Sequence, residues 1–158
     1  MVNVRASTCT NVRDADMLRP PKCAEGTQRW RGTFPGKRNQ VREVRRFVNG
    51  FLGEGVSTDI AELVASELAT NAIRHSSSGE AGGRFQVTVE AGDELLLLAV
   101  LDEGGPSCPQ VQKAADEEMN GRGLRLVSEL TASWGVYGDE GGRTVWALLP
   151  IQSGPPRA

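Results

Sequence analysis

Lysine is scarce in this chain. Only Lys22, Lys37 and Lys113 occur among 18 basic residues, and the rest are arginine. Acidic residues number 20, for a net charge of −2. The chain therefore lacks the strongly basic balance that holds a protein to nucleic acid by overall charge. Cysteine is limited to Cys9, Cys23 and Cys108, an odd number at wide spacings. That excludes a disulfide framework and a zinc-finger spacing, and it fits a reducing, cytoplasmic setting. No long apolar run exists. The longest, residues 95–101, is seven residues, against about 20 for a membrane-spanning helix. Residues 1–13 have no apolar centre of the kind a secretory signal needs. What is present is 158 residues, 39% hydrophobic and 24% charged. That is one globular domain's worth, long enough to bury a core without staples.

Residues 1–27 are polar, with a Pro20-Pro21 pair and no sustained periodicity, and are expected to form a disordered tail. Residues 28–34 alternate as a first strand, and Pro35-Gly36 turns the chain. Val41, Val44, Val48, Phe51 and Leu52 fall at helical spacing and predict a helix over 37–52, ended by Gly53 and Gly55. Its arginines, Arg38, Arg42, Arg45 and Arg46, sit mostly opposite the apolar stripe, as on an ordinary solvated helix face. A second helix begins at Ser57 or Thr58, either of which can cap it, and runs to about Ser76. A Ser- and Gly-rich loop follows over 77–83. Residues 85–91 and 94–102 read as a hairpin of two strands around Gly92-Asp93. The second is apolar on both faces, which predicts a central strand covered on both sides. The polar segment 103–122 is long enough to be a functional lid. A short helix over 123–130 and strands over 132–137 and 144–149 complete the domain, 28–151, before a second disordered tail, 152–158. The predicted fold is α+β: a two-layer sandwich with helices packed on one face of a mixed β-sheet.

Three stretches carry chemistry. On the second helix, Ile60, Val64, Leu68 and Ala72 form one row, and Leu63, Glu67, Asn71 and His75 form the next. A carboxylate and a carboxamide thus lie at the edge of the apolar stripe, where an unpaired polar group costs about 1–3 kcal/mol. Such groups are expected to meet a partner, and a metal-bound nucleotide would supply one. Taken singly, each also fits an ordinary helix-border residue, and His75 a residue near a helix end. Asp102 ends the most apolar strand and is followed by Glu103-Gly104-Gly105-Pro106. A carboxylate there can accept from an exocyclic amine, and glycine lets a flat base approach; a plain strand-ending turn has the same composition. Gly121-Arg122-Gly123-Leu124 opens a helix, where backbone N–H groups and the dipole favour an anion. It lacks the lysine of a P-loop and the third glycine of a dinucleotide fingerprint.

In combination, these stretches resemble the GHKL ATP-binding family, which includes gyrase, a heat-shock chaperone, histidine kinases and a mismatch-repair ATPase. Glu67-x-x-x-Asn71-x-x-x-His75 is similar to its N box, Asp102-x-Gly104 to its adenine box, and Gly121-x-Gly123-Leu124 to its phosphate-side box. Thr144, after Gly141-Gly142-Arg143, resembles the late threonine on the last strand. The closing "WGV" and "TVWALLP" resemble the anti-sigma serine/threonine kinase group of small actinobacterial regulators. The resemblance covers about residues 28–151. It implies ATP and Mg²⁺ as cofactors, with Asn71 ligating Mg²⁺ and Glu67 as general base. It also implies that Asp102 binds the adenine amine and that Gly121 and Gly123 approach the phosphates, with His75, Gly104, Arg122, Leu124 and Thr144 around the nucleotide. Two positions depart from the pattern. Pro106 stands where the adenine box has its second glycine, and Arg143 replaces a basic lysine.

The resemblance implies a serine/threonine kinase that phosphorylates an anti-anti-sigma (STAS-type) protein and sequesters a sigma factor. The competing expectation is a module that holds ATP and a protein partner and transfers nothing. A complete histidine kinase is disfavoured, because the sole histidine belongs to the N box and no dimerisation helix pair precedes residue 28. A gyrase-type motor would need a transducer domain. The second apolar face of the 95–101 run suggests a homodimer or a docked N-terminal tail. Nothing near Cys108 obviously lowers its pKa, so it reads as a spectator thiol.

Overall fold

A computed structural model of the chain describes residues 27–52, 58–105 and 122–151. The expected N-terminal tail apart from residue 27, lid residues 106–121 with Cys108 and Gly121, the candidate cap Ser57 and the tail 152–158 lie outside the described residues. The elements, in order, are β1 (Gln28–Pro35), α1 (Gln40–Phe51), α2 (Thr58–His75), a 3-10 turn (Ser77–Gly79), β2 (Arg84–Ala91), β3 (Leu95–Asp102), α3 (Arg122–Leu130), β4 (Ser133–Asp139) and β5 (Gly142–Pro150).

The fold is α+β, as the element pattern predicted. The five strands lie in the order β1-β2-β3-β5-β4. One correction concerns pairing: every neighbouring pair is antiparallel, and the sheet is not mixed. The reason lies in the last hairpin. The connection from β3 through α3 brings β4 back in the direction of β3, but β5 inserts between them. A parallel relation is created and then filled, so no two parallel strands touch.

Strand alternation sorts the side chains onto two faces. Phe85, Val87, Val89, Leu96, Leu98, Val100, Val145, Ala147 and Leu149 point one way, into a single core with the helices. Val44 and Val48 enter it from α1, and Leu124 and Val127 from α3. The centre is α2, whose inner surface is mostly small: Ala61, Ala65, Ala69 and Ala72 are buried beside Val64 and Leu68. Short side chains let this helix lie close on the sheet and still be flanked by both other helices. Arg45 of α1 donates to the Ser66 hydroxyl (2.7 Å), which donates in turn to the Glu62 carbonyl (2.7 Å), tying α1 to α2.

All four phenylalanines of the chain gather at the β1–α1 end. Phe34 stacks on Phe85 (5.7 Å) and meets Phe47 edge-on (5.6 Å), Phe47 meets Phe51 edge-on (4.9 Å), and Phe51 stacks on Trp30 (4.7 Å). Helix α1 starts at Gln40 rather than at Lys37, after a turn over 37–39. On the other face of the sheet Leu97, Trp146 and Leu148 form a second buried cluster with Ala99 and Tyr137. Strand β3 is the middle strand, as its two apolar faces implied. Its outer row still ends in exposed residues, Leu95 at 43% and Leu101 at 44%. Among the described residues, no helix is long and apolar enough to cross a membrane.

Candidate functional site

The site is assembled from the last two turns of α2, the 3-10 turn after it, the end of β3 and the β4–β5 hairpin. On α2 the predicted row is real but graded. Leu63 is exposed, Glu67 is half-buried, Asn71 is 7% exposed and His75 is half-buried. Glu67 and Asn71 are one turn apart on the same side of the helix.

Asn71 is the anomaly. Its Nδ2 is buried and has no hydrogen-bond partner. An orphaned buried amide costs about 1–3 kcal/mol, so a fold retains one where something else supplies the match. The two ends of a carboxamide have nearly the same shape and exchange by a half-turn about the last bond. Rotated, Asn71 presents its oxygen at the same buried point, and an oxygen with no donor suits a hard cation such as Mg²⁺. Among the described residues there is no group of three His, Cys, Asp or Glu able to hold a metal. A Mg²⁺ at Asn71 would therefore take most of its ligands from phosphate oxygens and water, the usual habit of this ion. The residues fit the group on those terms.

At the end of β3, Asp102 is 4% exposed. Its Oδ1 accepts from the Gly104 N–H at 2.7 Å, a local turn that a short acidic side chain favours. Burial pushes its pKa above the ordinary carboxylate value. The Gly104 N–H, the Arg143 charge and the Arg143 backbone N–H oppose this, and Glu103 adds to it. The backbone N–H groups that follow are all paired. Glu103 N–H donates to the Ser78 hydroxyl (2.9 Å), Gly105 N–H to the Glu140 carbonyl (2.9 Å), and Ser77 N–H to the Gly104 carbonyl (2.7 Å). Gly104 sits at φ +75°, and a Cβ there would lie 2.1 Å from the Glu140 carbonyl oxygen. The glycine is thus required by the neighbouring hairpin and by its own backbone, a reason different from the approach of a base.

Three other expected residues fall as follows. Leu124 is buried in the main core beside Val127 and seats the first turn of α3; it is a packing residue. Arg122 and Gly123 form the start of α3, one residue earlier than predicted. Thr144 does not reach the site, which is a correction. It shares the parity of Trp146 and Leu148, which lie on the sheet face away from the helices. The residue that faces the site from β5 is Arg143. It has the parity of Val145, Ala147 and Leu149, all in the helix-side core.

Arg143 was missed as a site residue, and so were Ser76 and Ser78. Arg143 is 3% exposed and directly opposite Asp102 in the β3–β5 ladder. Its Nη2 donates to the carbonyl of His75, the last residue of α2 (3.3 Å), where a positive charge also meets the negative end of the helix dipole. Its Nε lies 4.0 Å from Asp102 Oδ1 and has no hydrogen-bond partner. Ser76 caps the 3-10 turn by accepting from Ser78 N–H (3.1 Å), and fully buried Ser78 holds Glu103. The sequence signal for these was only a run of small polar residues.

A helix that offers a carboxylate and a buried carboxamide one turn apart thus packs on a strand that ends in a buried carboxylate. The sequence model of the histidine kinase-like ATPase domain matches residues 34–149, and the chain belongs to that family. Curated proteins gave no match. The family is one of ATP-binding domains, so ATP binding is the coarse function of this chain.

Proposed function

We propose that the protein is an ATP-dependent serine/threonine kinase of the anti-sigma type, which works in the cytoplasm on an anti-anti-sigma (STAS-type) protein and sequesters a sigma factor. The observation that supports phosphotransfer is the pairing on α2 of half-buried Glu67 with buried, unmatched Asn71. Asp102 would accept from the adenine amine and fix the base. Asn71 would hold Mg²⁺, which when bound offsets the charge of the triphosphate. Glu67 would take the proton of the incoming serine or threonine hydroxyl as its oxygen bonds to the γ-phosphorus. The bond from that phosphorus to the bridging oxygen breaks, and ADP leaves.

The test is transfer from γ-labelled ATP to a purified anti-anti-sigma protein encoded near the gene, with Glu67→Gln alongside. Loss of transfer in the variant, with ATP affinity kept, supports the reading. Transfer at the wild-type rate by Glu67→Gln removes Glu67 from the chemistry. ATP bound by the wild type with no transfer identifies a binding module instead, the reading favoured by the two departures Pro106 and Arg143.

A further inference from the structure

Asp102 and Arg143 place a buried acceptor and a buried charged donor side by side. They are direct partners across β3 and β5, and both point to the helix side of the sheet. A charge-assisted hydrogen bond between a guanidinium and a carboxylate runs about 2.7–2.9 Å. This pair stands at 4.0 Å. The guanidinium is held in that position by other means. Its Nη2 is tethered to the His75 carbonyl, and the backbone N–H of the same residue serves the Asp102 carboxylate. What remains is the Nε–H, buried and without an acceptor. Gly105, at φ +139°, stands beside the tethered Nη2: a Cβ there would lie 3.6 Å from Nη2 and from the Ser77 nitrogen. A buried guanidinium donor without a match is costly, more so than a neutral one. A ligand that brings an acceptor to Nε while giving a donor to Asp102 relieves both groups at once.

We infer that Arg143 is a specificity-determining residue of the nucleotide site, and that its Nε–H donates to N1 of adenine while Asp102 accepts from the neighbouring 6-amino group. The inference rests on the ATP-binding reading above. The amino group and N1 are adjacent on the Watson–Crick edge of adenine, one a donor and the other an acceptor, in the same alternation that the two side chains offer. Hypoxanthine and guanine carry a hydrogen on N1 and an oxygen at position 6. In the same pose they set donor against donor at Arg143 and acceptor against carboxylate at Asp102. A site of this kind rejects the wrong partner chiefly because its buried groups are then left unpaired.

The probe is 1-deaza-ATP, in which N1 is replaced by C–H and the amino group is kept. Calorimetry would compare its affinity with that of ATP on the full chain, with inosine triphosphate as a third ligand. For the wild type, ATP is expected to bind about tenfold to a hundredfold more tightly than 1-deaza-ATP, the ratio a hydrogen bond from a charged donor supplies. In Arg143→Met that ratio is expected to fall to near one, with ATP weakened and 1-deaza-ATP little changed. Arg143→Lys is expected to restore part of it. If Arg143 merely braces the strand ends, Arg143→Met weakens both ligands alike and the ratio persists, which overturns the inference. Should the variant not fold, the wild type decides alone: equal affinity for ATP and 1-deaza-ATP overturns it. Failure of the wild type to bind either nucleotide would instead overturn the ATP-binding reading itself.

Discussion

Two regions of this sandwich are built on opposite terms. Around β1 and α1, Trp30, Phe34, Phe47, Phe51 and Phe85 form an unbroken chain of ring contacts whose one polar atom is the Trp30 indole N–H. In the site, Asn71, Asp102 and Arg143 are as deeply buried as core residues, yet two of the three carry a polar atom without a partner. Both regions share one sheet, and the register sets Phe85 level with Asp102. The first region uses its burial to hold the fold. The second accepts unmatched groups in a fold that the first has stabilised, the usual relation between a scaffold and a site.

The contrast can be broken in order of size. Phe47→Ala, on α1 in the aromatic region, is expected to lower unfolding stability by about 3 kcal/mol. It should leave ATP affinity of the folded protein unchanged, by denaturant melts and calorimetry respectively. A large affinity loss would show that the two regions are coupled. Asp102→Asn, in the site, is expected to cost about 1.5–3 kcal/mol of ATP binding, as a hydrogen bond to a charged acceptor does. Calorimetry on a sample with intact far-UV dichroism checks it. Asn71→Ala removes the orphaned amide and adds no bulk. It is expected to leave stability within about 1 kcal/mol of the wild type, since the loss of packing is offset by removal of the unmatched group, while abolishing the dependence of nucleotide binding on Mg²⁺. Unchanged Mg²⁺ dependence would remove Asn71 from the metal site.

The smallest effect is on pH. Asp102 has a raised pKa because it is buried, so the folded chain holds that proton more tightly than the unfolded chain does. Its contribution to stability is present below the unfolded value and is lost as pH rises through the folded one. ATP affinity should move the other way, because the protonated carboxyl no longer accepts from the amine with full strength. Between those two pKa values the Asp102→Asn variant should lose the slope of affinity, and the wild-type-minus-variant stability should fall as pH rises.

Much of this was legible from residue order. Helical spacing located α1 and α2 to within a few residues, and Gly92-Asp93 marked the β2–β3 hairpin. The row Glu67, Asn71, His75 followed from the helical repeat alone. The face of β5 did not. Residues 143–149 are all buried, so the strand has no polar alternation from which to read its phase. Thr144 was placed in the site one residue away from Arg143, which faces it. The antiparallel pairing was hidden for a related reason: nothing local to β5 records that it slips between β3 and β4. The 3-10 turn was hidden because a serine run has the same composition whether it is free or bound to Glu103.

The insertion of β5 also sets the order in which the site can come into being. Asp102 and Arg143 meet only when the final hairpin has closed on β3, and this contact joins residues 41 apart in sequence. Pairings of that range form late, after local elements have condensed. A nascent chain that has emerged only as far as β3 already carries Glu67, Asn71 and Asp102, but it has neither Arg143 nor the Glu140 carbonyl that anchors Gly105. Nucleotide capture would then report completion of the chain, and a cell that supplies ATP would selectively stabilise finished molecules over partial ones.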